Sequence, residues 1–138
     1  MALVLDTGPL FAYLDRADTW HSRCRTLIDG TTEELIVPSP VLVEVDYWIN
    51  ERLHQGVLLR LLDDVISNSL SVFDLVPSDY RRVRQLCDTY SDANLGFVDA
   101  SVMAIVERLN EPKLATLDHR DFRMIRPRHV DSLILLPE

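Results

Sequence analysis

Along this chain, short apolar runs with almost no polar face alternate with stretches of helical periodicity, and that alternation leaves few folds open. The runs are Leu3-Val4-Leu5, Glu34 to Val37, Ser71 to Val76, Leu114-Ala115-Thr116 and Leu133 to Leu136. Strands of this kind belong to a parallel sheet covered on both faces by the helices that connect them. The pattern predicts an α/β fold, a three-layer α/β/α sandwich with a mostly parallel central sheet of four or five strands. At 138 residues and 47% hydrophobic content the chain fits a single domain over residues 1–138, able to bury a core without metal or disulfide support. No apolar run approaches the roughly 18 residues that would cross a bilayer, and the N-terminus lacks a basic leader, so a soluble, cytoplasmic protein without a membrane partner is expected. Cys24 and Cys87 fall on apolar helical positions; a free buried thiol is the expected state of each, and a single disulfide the alternative.

Between the strands, the helical stripes are Leu10, Phe11 and Leu14, with Thr7 or Gly8 as cap, then Trp20, Cys24, Leu27 and Ile28 up to a stop at Gly30. Ser39-Pro40 reads as a capping hydroxyl before a first-turn proline and launches a helix from Val41 to about Leu53. Further helices follow through Leu58, Leu61, Leu62 and Val65, and from Pro77-Ser78 through Val83, Leu86, Cys87 and Tyr90. Ser91 to Gly96 is turn-like, and Val98, Val102, Ile105 and Leu109 mark the last long helix. After Asp118 a loop or single turn through Phe122 is expected, then an arginine-rich connection to the final strand.

Acids occupy telling places in this frame. Asp6 ends the first apolar run just before Thr7-Gly8-Pro9, where it could cap a helix or face a ligand at the sheet edge. Asp118 has the same context after Thr116, and Asp99 opens a helix after Gly96-Phe97-Val98, so each again has a plain capping explanation. Glu44 is less easily dismissed: its helical neighbours Pro40, Val41, Tyr47 and Trp48 are all apolar or aromatic, and a carboxylate there asks for a partner or a cation. Asp46, beside Asn50 on the same helix, is the weaker competitor. Asp92 in its turn and Asp121 after Asp118 read as a capping residue and as a turn or ion-pair partner of Arg120 or Arg123.

Strand ends and helix starts of a parallel sheet converge at one edge, which would gather Asp6, Glu44, Asp99 and Asp118 in one groove. At a separation of about 4 Å and an effective dielectric near 20, each like-charged pair costs on the order of 4 kcal/mol, so protonation or cation binding must intervene. An all-carboxylate set suits Mg²⁺ or Mn²⁺; zinc does not fit, because His21, His54, His119 and His129 show no ligand spacing. Such cations on a carboxylate platform support phosphodiester hydrolysis by activated water. Thr7 and Thr116 could orient the neighbouring acids, although threonine at a turn is commonly local structure.

The net charge of −8 argues against a nucleic-acid binder that relies on its whole surface, while leaving room for a local basic patch or for a basic peptide in an acidic groove. Arg120, Arg123, Arg126 and Arg128 form one arginine cluster, with Arg120 and Arg123 best placed for nucleic-acid phosphate, and Arg81, Arg82 and Arg84 form another, although such clusters are usually solvated faces. Trp20, Tyr47 and Trp48 could stack on bases, but their helical spacing favours packing.

In order and spacing, Val4-Leu5-Asp6-Thr7, Val43-Glu44-Val45-Asp46-Tyr47, Gly96-Phe97-Val98-Asp99-Ala100-Ser101 and Ala115-Thr116-Leu117-Asp118 with Phe122 behind resemble the PIN-domain ribonucleases, in particular the VapC toxins of toxin–antitoxin pairs. The resemblance spans nearly the whole chain. It implies a metal-dependent endoribonuclease with Asp6, Glu44, Asp99 and Asp118 in its acidic groove and Thr116 in support. It also implies a homodimer, a VapB-like antitoxin that inhibits the enzyme, and higher toxin–antitoxin assemblies. Two rival readings are a non-catalytic PIN-like module that binds proteins and an aspartic protease built on Asp6-Thr7-Gly8. The second conflicts with the helical periodicity and leaves the other acids idle.

Overall fold

The computed structural model describes every residue from Met1 to Glu138. The elements run β1 (Ala2–Val4), α1 (Thr7–Leu14), α2 (His21–Gly30), β2 (Glu34–Pro38), α3 (Ser39–Arg52), α4 (Gln55–Ile66), β3 (Ser71–Phe73), α5 (Pro77–Thr89), a 3-10 turn (Ser91–Ala93), α6 (Phe97–Arg108), β4 (Lys113–Ala115), α7 (His119–Met124) and β5 (Ile134–Leu136). β2 pairs in parallel with β1 and β3, setting Val4 opposite Ile36 and Val37 opposite Val72, and β4 pairs in parallel with β5 through Leu114 and Leu135. A parallel bridge between Leu5 and Ala115, with the Asp6 N–H donating to the Ala115 carbonyl at 2.9 Å, joins the two ladders. The result is a five-stranded, all-parallel sheet in the order β3-β2-β1-β4-β5 inside a three-layer α/β/α sandwich.

This order reverses direction between β1 and β4, since the chain winds outward to β2 and β3 and then returns to the other side of β1. The crevice beyond the carboxyl ends of two such strands is where open parallel sheets bind ligands. Asp6 and Asp118 lie just past the ends of β1 and β4.

Burial explains the apolar runs. All of β1 is buried, as are Ile36 and Val37 of β2 and Leu114 and Ala115 of β4, and they belong with Val41, Val45, Ile49, Met103 and Val106 to a core of buried side chains. The edge strand β3 is only half-buried. Cys24 is buried, Cys87 half-buried, and both are free thiols. No helix is long and apolar enough to cross a membrane.

Several boundaries differ from the sequence reading for identifiable reasons. β3 ends at Phe73 rather than Val76 because the next residues serve α5 and α6: the Asp74 carbonyl accepts from the Arg108 guanidinium at 3.2 Å, and the Val76 N–H donates to Asp79 Oδ2 at 2.9 Å. Ser39 is the first residue of α3 and caps nothing. At α1 the cap position falls on Asp6 instead of Thr7 or Gly8. The expected loop after Asp118 is the helix α7, which starts because Asp118 Oδ1 accepts from the Asp121 N–H at 3.1 Å and stays because Phe122 is buried.

Candidate active site

Asp6 holds the N-cap position of α1, yet its side chain makes no capping hydrogen bond. The plain explanation for an acid at this place therefore does not apply. The carboxylate is 5% exposed and turns toward β4, where Oδ2 accepts from the Thr116 hydroxyl at 2.8 Å. The same hydroxyl oxygen accepts from the Asp118 N–H at 3.0 Å, so Thr116 links the two acids that end β1 and β4. Thr7 differs from the expectation that it would orient an acid: its buried hydroxyl has no hydrogen-bond partner.

Asp6, Thr7, Glu44, Asp99 and Asp118 line one open groove of about 700 Å³ at the sheet edge. Glu44 reaches it from the flank of α3. The buried stripe of that helix is Val41, Val45 and Ile49, while Tyr47 is exposed and Glu44 half-buried, so the apolar neighbours of Glu44 do not enclose it. Asp46 is exposed and outside the groove. Asp99 is the third residue of α6, whose cap position is Gly96, and so it is not a capping residue.

Asp121 corrects the sequence reading. It forms no ion pair with Arg120 or Arg123. Asp99, Asp118 and Asp121 instead bring carboxylate oxygens within 4.8 Å of one another. The sequence carries the signal: Asp118 and Asp121 stand three positions apart, which brings their side chains together at the start of a helix if one forms there. Asn94 also lines the groove, at a turn position that no sequence pattern marks as functional; it ends the 3-10 turn in the left-handed region at φ 56°, a conformation asparagine tolerates. Gly8 completes the wall. A Cβ at that position would meet Leu117 Cβ at 3.1 Å, so glycine lets the start of α1 lie against the segment carrying Asp118 without displacing Leu117 by a few tenths of an ångström. Arg120 and Arg123 are exposed on α7, whereas Arg82 is engaged elsewhere, donating to both carboxylate oxygens of Glu107 at 2.8 and 2.9 Å.

None of Asp6, Glu44, Asp99, Asp118 or Asp121 is paired with a lysine or arginine. Burial pushes the Asp6 carboxyl from 3.8 up to about 6, and the charges of Glu44 and Asp118 add to the rise, against the lowering effect of the Thr116 hydroxyl and the Thr7 N–H. Asp99 is pushed up to about 7, first by burial and then by Asp6, Asp118, Asp121 and Glu44. Asp121 is also raised, by loss of solvent and by sharing a hydrogen bond and negative charge with Asp118. The groove is thus a concentration of oxygen donors whose charge the protein itself leaves uncompensated. A hard divalent cation meets that demand, and no histidine or cysteine joins the clustered set.

With this geometry in view, residues 3–126 match the family model of the PIN domain. The chain belongs to the PIN-domain family. This PIN domain is 26% identical over 125 residues to Ribonuclease VapC26 of Mycobacterium tuberculosis, an alignment covering 91% of this chain and 93% of the relative. Its fold is similar to that of Mycobacterium tuberculosis VapC20, a toxin that cleaves the sarcin-ricin loop, with a TM-score of 0.74 at 17% identity over 83% of this chain and 87% of that one. It is also similar to VapBC2 of Rickettsia felis, solved on a DNA fragment from its promoter, with a TM-score of 0.70 at 18% identity over 98% and 97% of the two chains. At these identities the structural likenesses speak to the PIN fold alone.

Proposed function

We propose that this PIN domain, acting as one unit over residues 1–138, is a divalent-cation-dependent endoribonuclease of the VapC toxin type. The observation that carries the reading is the groove of carboxylates without a cationic partner, in a chain whose curated relative is a ribonuclease. Asp6, Glu44, Asp99 and Asp118 would hold Mg²⁺ or Mn²⁺, and Asp121 is added to that set. When bound, such a cation lowers the pKa of water and offsets the charge that builds on the phosphodiester during hydrolysis.

The chain's own contribution is positioning. Thr116 fixes the Asp6 carboxylate and, through the Asp118 backbone, the turn that carries the next acid. Thr7 offers a buried hydroxyl without a partner in the protein, on the wall of the groove that would receive the RNA phosphate. Asp99, pushed up to about 7, is suited to hold a proton when no cation is present and to release it when one arrives. Arg120 and Arg123, free on α7, would draw the flanking phosphates toward a groove that otherwise repels them.

A VapB-like antitoxin is the proposed inhibitor, assembling with a homodimer of this chain into a larger toxin–antitoxin particle in the cytoplasm. Leu59, Leu62 and Ile66 leave an exposed apolar stripe along α4, suited to a protein partner, and the acidic groove suits a basic segment of that partner. The test is RNA cleavage by the purified chain. Cleavage should need Mg²⁺ or Mn²⁺ and vanish in Asp6→Asn; cleavage that persists in EDTA would overturn the metal mechanism. Sequencing the 5′ ends of RNAs produced on brief expression, with Asp6→Asn as control, would identify the substrate.

A further inference from the structure

The carboxylate groove sets a problem for its own substrate. RNA is a polyanion, this chain has a net charge of −8, and the acids of the groove lack cationic partners, so affinity from phosphate contacts is weakest where the strand must be held. Attraction that does not depend on charge is available at the rim. Phe97, the first residue of α6 and two positions before Asp99, lines the groove and is 49% exposed. Its ring lies against that of Tyr80 on α5, 54% exposed, with centroids 6.4 Å apart and planes 29° from parallel. Two large aromatic side chains, each about half exposed, therefore sit together at the edge of the site rather than scattered. Arg84, one helical turn beyond Tyr80 on the same face of α5, is exposed and forms no ion pair.

We propose that Phe97 and Tyr80 form a stacking platform for an unpaired base of the RNA strand entering the groove, with Arg84 contacting the phosphate that follows. This deepens the endoribonuclease reading and rests on it. Stacking on aromatic faces is the usual way proteins grip single-stranded RNA, because every unpaired base offers a π-face, whereas a duplex hides it. The platform therefore selects single-stranded or looped RNA over duplex. Phe97 and Tyr80 act on substrate binding and leave the carboxylate chemistry to the acids.

The experiment uses the full chain with Mg²⁺ and a short single-stranded RNA carrying 2-aminopurine beside the cleaved bond, next to its duplex form. Base fluorescence should be quenched on binding to the Asp6→Asn protein. Phe97→Ala and the bulk-preserving Phe97→Leu should each raise KM roughly 5- to 100-fold, with kcat changed by less than about twofold. Phe97→Trp should restore KM, and an abasic nucleotide at the labelled position should weaken wild type but add nothing to Phe97→Ala. Melting curves establish that each variant folds. Unchanged KM in both Phe97 variants, while the wild type cleaves, overturns the platform and leaves the nuclease standing. A wild type that neither binds nor cleaves the RNA removes the nuclease reading and the platform with it. A loss of self-association in Phe97→Ala with RNA affinity intact would assign the aromatic pair to a second copy of the chain and also overturn the proposal.

Discussion

Asp6 shows how one residue can be worth more to the site than to the fold. Its burial raises the carboxyl from 3.8 to about 6, so the folded protein binds a proton more tightly than the unfolded chain does. Stability from this group is then complete below pH 4 and is lost as pH rises toward 6, a cost of about 3 kcal/mol for the ionised form in the absence of a cation. Asn at this position keeps the acceptor for Thr116 without the charge. Asp6→Asn should therefore raise urea stability in EDTA at pH 8 by on the order of 1–2 kcal/mol, less than the full cost because the new N–H groups need partners. The gain should disappear near pH 4, and equal effects at both pH values would refute the account. Thr116 offers the complementary test. Thr116→Val removes the hydrogen bond at 2.8 Å and should cut cleavage by roughly 10- to 100-fold, whereas Thr116→Ser should recover most of it. A valine variant as active as wild type would show that Asp6 needs no such anchor.

At the scale of elements, the site depends on how closely the ends of β1 and β4 approach. The strands there are bridged at Leu5 and Ala115, and Gly8, in the first turn of α1, lies so near Leu117 that an added Cβ would meet it at 3.1 Å. Gly8→Ala should push Leu117 aside by a few tenths of an ångström and carry Asp118 with it. A loss of roughly tenfold in kcat is expected, with a cost of about 1 kcal/mol in stability; stopped-time cleavage assays beside denaturant melts would separate the two. The α7 helix illustrates a related point. Its first turn is held by Asp118 and its far side by buried Phe122, and that short element brings Asp121 back toward Asp99. Periodicity could not announce so short a helix, because six residues span less than two turns.

For the molecule as a whole, uncompensated charge in the groove predicts a linkage between cations, pH and stability. Raised Asp6 and Asp99 mean that the cation-free fold weakens as pH climbs from about 4 to about 7. If the groove is the proposed cation site, Mg²⁺ should bind its ionised form and not the unfolded chain, adding about 2.7 kcal/mol at a hundred times its dissociation constant. Its effect on Tm should be larger at pH 8 than at pH 5, where protons compete for the same oxygens. Sodium chloride of equal ionic strength should not reproduce it. An identical Mg²⁺ shift at both pH values would argue that the cation binds elsewhere.

By itself, the sequence determined the class of fold and drew attention to the acids Asp6, Glu44, Asp99 and Asp118. Strand and helix periods are local, and so are the places where an apolar run stops on a carboxylate. Tertiary structure alone decided what those acids meet. The sheet order β3-β2-β1-β4-β5 puts residue 6 beside residue 116, a neighbourhood that no local period encodes. It also decided that Asp6 does not cap α1, that Asp121 joins the acids instead of pairing with an arginine, that Arg82 is engaged by Glu107, and that Phe97 meets Tyr80 at the rim. Each of these depends on a contact between segments distant in the chain, set by how the helices pack on the sheet.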